Sequence, residues 1–192
     1  METFHGFHRY AAASRCANLF LTNWWESRFK SQALLDEEAL VTCLAYVDLN
    51  PIRATVADTP EASDFTSAKD RIDTAQSDLA TPDPKQPQSL FPFVGHTRQD
   101  MPAGLPFRLQ DYLELVDWTG RQIRKDKRGS IDQSYPPILE RLNIDSEHWV
   151  YNTQHFESQF KGLVGTAISI KAQYLKFGYQ RTPHLRPASL LT

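Results

Sequence analysis

Residues 36–54 read DEEALVTCLAYVDLNPIRA, and the rest of the chain is organised around this run. Asp36 suits an N-cap, because a short acidic side chain accepts from the amide groups a helix start leaves bare. Glu37 and Glu38 favour the positive end of the helix dipole. Leu40, Leu44 and Val47 follow at i, i+4 and i+7 and make one apolar face. Asn50-Pro51 then ends or kinks the helix, since the residue before proline is driven out of the α region. Upstream, Trp24–Leu35 alternates in part, with Trp25, Phe29 and Ala33 against Glu26, Arg28 and Lys30. That pattern predicts an extended strand or hairpin.

Downstream, residues 81–107 carry Pro82, Pro84, Pro87, Pro92, Pro102 and Pro106, half of the chain's 12 prolines. Proline fixes φ and donates no backbone hydrogen bond, so the stretch reads as a linker. Phe91, Phe93 and Val94 within it predict packing onto a neighbour. A helix starts at Leu109, with Tyr112, Leu113, Val116 and Thr119 on its inner side, and is expected to reach about Lys125 before Gly129. Pro136-Pro137 opens a short helix through Leu142, and Asp145 or Ser146 caps another through His155. Phe156–Phe177 reads as one longer helix, with Phe160, Leu163, Val164 and Ile168 in the core. The last dozen residues read as frayed.

The 192 residues suffice for one domain or two small ones. A net charge of −2, from 21 basic and 23 acidic residues, excludes a strongly basic domain. The charge is uneven, however. Residues 36–79 hold ten acids and three bases, a net −7, whereas residues 118–128 hold five bases and one acid, a net +4. Cys16 and Cys43 are too few for a disulfide framework and read as free thiols. No apolar run approaches the roughly 18 residues that span a bilayer, and the first residues make no secretory leader. The expected location is the cytoplasm, with no membrane partner.

On a helix, Tyr46 lies one turn before Asn50 and shares its face, and Arg53 follows the break and reaches back. A phenol beside a cation suits attack on a phosphodiester; the alternative is a tyrosine packed at a helix edge. Arg121, Arg124, Lys125, Lys127 and Arg128 either grip a DNA backbone, with Trp118 stacking a base, or form a solvated helix end. Arg28 and Lys30 face either DNA or solvent. His5 and His8, with two residues between them, are read as incidental and not as metal ligands.

The run Trp24-Trp25-Glu26-Ser27-Arg28-Phe29, followed by Tyr46-Val47-Asp48-Leu49-Asn50-Pro51-Ile52-Arg53, resembles the C-terminal part of the catalytic domain of IS200-like transposases, in particular their repeat-associated tyrosine branch. Leu105-Pro106-Phe107 through Arg124 is similar to the C-terminal extension of longer members. The likeness covers about residues 20–145. It implies an α+β, mostly helical chain: a partial antiparallel-sheet catalytic domain over 1–80, a linker over 81–107 and a helical extension over 108–192. It implies DNA transposition, by cleavage and joining of single-stranded or hairpin DNA through a 5′-phosphotyrosine, with Tyr46 as nucleophile and Asn50 and Arg53 in support. The family's Mg²⁺ or Mn²⁺ sits on a His-hydrophobic-His pair, and no two histidines here are two apart. The expectation is therefore a truncated mobile-element protein without a metal site, inactive alone. It would need an intact transposase or a second copy, or serve as a non-catalytic DNA-binding or partner module.

Overall fold

Asp36 is the first hinge of the architecture. In the computed structural model, which describes residues 32–77, 85–95, 103–124, 136–160, 162–178 and 185–191, it sits extended at φ −147° and accepts from the Ala39 amide at 3.0 Å. Helix α1 (Glu37–Asp48) starts from this cap. The described residues lie within the unit Ser31–Thr192.

A two-residue strand, β1 (Ala33–Leu34), precedes α1, and α2 (Asn50–Arg53) follows it. Pro51 falls in the first turn of α2, where its missing N–H costs no helical bond. The chain therefore bends at Leu49 and resumes as helix. A 3₁₀ turn (Pro60–Ala62) leads to α3 (Ser67–Gln76). Farther along the chain come α4 (Leu109–Ile123), α5 (Pro137–Arg141), α6 (Ser146–Gln159), β2 (Leu163–Val164), α7 (Ala167–Lys176), α8 (Leu185–Ala188) and a last 3₁₀ turn (Ser189–Leu191).

The described residues are mostly helical with a small sheet, an α+β arrangement. The sheet is not antiparallel as expected. Strands β1 and β2 pair parallel, Ala33 with Leu163 and Leu34 with Val164. Each strand runs directly into a helix, α1 or α7, and the long crossover between them allows a parallel pair. Asp36 ties these two starts together, because its Oδ2 accepts from the Thr166 amide at 2.6 Å. Gly165 is required at this junction: a Cβ there would lie 2.9 Å from Asp36 Oδ2 and 3.0 Å from Leu35 Cβ.

One core gathers all three stretches distinguished by composition. Val41, Ala45, Leu49 and Ile52 of α1 and α2 meet Leu115 and Val116 of α4, Ile138 and Leu139 of α5, and Trp149 of α6. Phe93, Leu105 and Phe107, from the proline-rich stretch, belong to the same core. Gln86 holds Phe93 there like a strand partner, donating to its carbonyl at 2.8 Å and accepting from its amide at 2.7 Å. Phe91, by contrast, stays 38 % exposed. A smaller cluster joins Ala39, Phe156, Phe160, Val164 and Leu191.

Several elements differ from the sequence reading. The buried side of α1 is Ala39, Val41, Thr42, Ala45 and Asp48, while Val47 is 55 % exposed. The helix is covered on two sides, by α4 and by α6, so its buried band is rotated from the Leu40–Val47 stripe. Phe156–Phe177 is not one helix: α6 stops at Gln159, β2 intervenes, and Thr166 caps α7. Gly162, at φ +74°, breaks the helical pattern. Ile168 is 81 % exposed and Ile170 takes the buried position instead. The tail is not frayed throughout, since Leu191 is buried and the Leu190 carbonyl accepts from Asn152 at 2.6 Å. Helix α4 ends at Ile123, short of Lys125. Gly129 lies outside the described residues.

Candidate functional site

Tyr46, Asn50 and Arg53 come together as the spacing predicted. Asn50 follows Tyr46 by four residues and Arg53 follows Asn50 by three, about one helical turn each, across the bend at Leu49. The Arg53 guanidinium carbon lies 3.7 Å from the centre of the Tyr46 ring. Its Nη2 donates to Asn50 Oδ1 at 2.9 Å. Its Nη1 donates to the carbonyl of Thr153 in α6 at 2.8 Å. Beside that carbonyl α6 departs from helical geometry, at His155 (φ −119°, ψ 16°). A kink tilts carbonyl groups away from their helical partners, and Arg53 caps the one that Thr153 offers.

Helix α6 also brings two groups that the sequence reading did not foresee. The Phe156 ring packs on Tyr46 with centroids 5.5 Å apart. The Tyr46 hydroxyl donates to Glu157 Oε2 at 3.3 Å. Glu157 is 111 residues away in sequence, and no local pattern marks it. Burial pushes the Tyr46 phenol above its usual pKa, and the Glu157 carboxylate adds to this while Arg53 opposes it. Burial likewise lowers the Arg53 guanidinium, with Tyr46 and Glu157 pulling it back. The site thus places a phenol, a carboxylate that accepts its hydrogen bond and a fixed cation on one partly open face.

Of the remaining predicted DNA-binding residues, Arg121 and Arg124 are described, both at the end of α4. Arg121 pairs with Asp117 one turn earlier on α4 at 2.8 Å. Arg124 lies 3.9 Å from Asp58. Trp118 is 2 % exposed, so it is a core residue and cannot stack a base. Arg28, Lys30, Lys125, Lys127 and Arg128 lie outside the described residues, as do His5, His8, Trp24, Trp25 and Cys16. Cys43 is a free thiol that burial pushes up to about 11.

The sequence has no His-hydrophobic-His pair, and among the described residues no group of three or more His, Cys, Asp or Glu stands together. None of the described helices is long and apolar enough to cross a membrane. Comparison with family models, curated proteins and solved structures returns no match to this chain.

Proposed function

We propose that this chain is a transposase-like protein of the tyrosine class that acts on single-stranded or hairpin DNA in DNA transposition. What supports it is the Arg53 guanidinium stacked on Tyr46 and bonded on both sides. A cation held this firmly is preorganised for the charge of a phosphodiester at the phenol. In the proposed step the Tyr46 oxygen bonds to phosphorus and its proton passes to Glu157. The bond to the leaving 3′-oxygen breaks, water supplies that oxygen with a proton, and the 5′ phosphate stays on Tyr46. The raised pKa of the phenol makes the carboxylate necessary at neutral pH.

The test is a hairpin single strand incubated with Mg²⁺ and the full chain, alone and mixed with an intact transposase of the tyrosine class whose own tyrosine is replaced by phenylalanine, resolved under denaturing conditions. The chain alone is expected to leave the DNA uncut, and the mixture to give a covalent adduct mapped to Tyr46 by mass spectrometry and lost in Tyr46→Phe. Uncut DNA with no adduct in the mixture would end the catalytic reading.

A non-catalytic DNA-binding role is the second reading, favoured by the same protonated phenol. In that case binding weakens steeply with salt, and removing Arg121 and Arg124 together reduces the slope by about 2. Binding indifferent to ionic strength would exclude it.

A further inference from the structure

The four most exposed large apolar side chains among the described residues are Phe65, Ile168, Val56 and Leu175, at 74–93 %. They fall on two segments of opposite charge. Val56 and Phe65 lie in residues 54–68, which hold Asp58, Glu61 and Asp64 and no Lys or Arg. Ile168 and Leu175 lie in residues 158–192, which hold Lys161, Lys171, Lys176, Arg181 and Arg186 and no Asp or Glu.

Single exposed apolar residues are ordinary on a protein surface, but both segments hold theirs in a definite setting. Phe65 has φ +64°, a left-handed conformation that a bulky residue rarely adopts. The chain on either side of it is pinned. Buried Ser63 donates from Oγ to the Thr59 carbonyl at 2.9 Å, and Thr66 Oγ1 donates to the Ser63 carbonyl at 2.8 Å. Ser67 Oγ donates to buried Asp48 at 2.7 Å. The ring thus stands at the tip of an ordered turn, and docking it costs little further ordering. On α7, Ile168, Ala172 and Leu175 follow at i, i+4 and i+7 and share one exposed face, while Ile170 takes the buried side. Lys171 and Lys176, both exposed, flank that face. A face apolar at its centre and basic at its margins fits a partner that is apolar and acidic, and the Phe65 turn has that chemistry.

We infer that the partner is a second copy of this chain. The Ile168–Leu175 face of α7 in one copy receives the Phe65 tip of the other, with Lys171 and Lys176 against Glu61 and Asp64. Made in both directions about a two-fold axis, the contact closes a dimer. It stands whether or not Tyr46 reacts. A nucleic-acid strand fits less well, because the face is aliphatic and offers no ring for a base. An anionic lipid surface would suit α7 but would be repelled by the acidic turn and leave Phe65 uncovered.

Sedimentation velocity of the full chain tests this, with a dimer whose share grows with concentration as the expected result. Raising salt from about 0.1 to 1 M shortens the Debye length from about 10 to 3 Å and should weaken the dimer. Phe65→Ser and Leu175→Ser should each weaken it about tenfold or more, as the loss of an apolar anchor does, with the thermal midpoint unchanged because both side chains are exposed. Two charge reversals decide the pairing: Glu61→Lys with Asp64→Lys, and Lys171→Glu with Lys176→Glu. Each double variant should be monomeric alone, and the two mixed should associate again. A parent that stays monomeric up to about 1 mM, or folded variants that do not associate when mixed, overturn the inference. A monomer that instead binds phosphatidylserine vesicles or single-stranded DNA through Lys171 and Lys176 also overturns it, and gives that face to lipid or to nucleic acid.

Discussion

Arg53 stacks on Tyr46 at 3.7 Å while bonding the Thr153 carbonyl, and so joins residues 100 positions apart in the chain. Lysine keeps the charge but has no planar fork to make both hydrogen bonds and the stacked contact. Arg53→Lys should cost about 1.5–3 kcal/mol, the value of a hydrogen bond to a charged group. Urea unfolding should show a lower midpoint with an unchanged slope. A midpoint equal to that of the parent means the Thr153 contact contributes nothing to stability.

Asp36 offers the second test, because its two oxygens serve two helix starts. Oδ1 accepts from Ala39 and Oδ2 from Thr166. Removing an N-cap costs about 0.5–2 kcal/mol, and leaving a half-buried amide without an acceptor adds about 1–3. Asp36→Ala should therefore destabilise more than an ordinary cap deletion, by about 2–4 kcal/mol. Asp36→Asn, which keeps one acceptor oxygen, should fall between. Hydrogen exchange checks the mechanism: the Ala39 and Thr166 amides should both lose protection in Asp36→Ala. Loss at Ala39 alone would mean that the link to α7 carries no energy.

These two residues also mark what could be read in the chain. The cap at Asp36, the break near Asn50-Pro51 and the Asp145 cap of α6 are local, set by side chains within three residues of the amides they serve, and the sequence displays them. So is the grouping of Tyr46, Asn50 and Arg53. Glu157 was hidden, because it reaches Tyr46 only through the packing of α6 on α1, and pairing between distant helices leaves no periodic trace. Asp48 was hidden for the same reason: an acid within an acidic run reads as solvated, yet it is 2 % exposed. The prolines misled in the other direction. The described residues 85–95 and 103–107 form no helix or strand, yet Phe93, Leu105 and Phe107 lie in the core. Phe156–Phe177 misled because apolar residues at helical spacing tolerate a short strand between two helices, and only Gly162 and Gly165 signalled the break.

The buried Tyr112–Asp48 pair predicts how stability responds to alkali. Tyr112 is 1 % exposed, and its hydroxyl donates to Asp48 Oδ2 at 2.5 Å. Asp48 Oδ1 accepts from Ser67 Oγ at 2.7 Å and from the Ala68 amide at 3.3 Å. Burial, and then the Asp48 charge, push the Tyr112 phenol well above its usual value. The unfolded chain therefore releases this proton first, from about pH 10. Above that point the folded state holds more protons than the unfolded state, so stability falls as pH rises. Cys43, pushed from 9.0 up to about 11, acts in the same direction and begins earlier. Unfolding free energy measured in urea should hold steady around neutral pH and decline from about pH 9 upward, more steeply beyond 10. Tyr112→Phe separates the two groups. At pH 7 it should cost about 1–3 kcal/mol, because buried Asp48 loses a donor. Above pH 10 its stability should fall less steeply than that of the parent, and Cys43→Ala should remove the earlier decline. If Tyr112→Phe keeps the parent's alkaline slope, the proton lost there is not the one bound to Asp48.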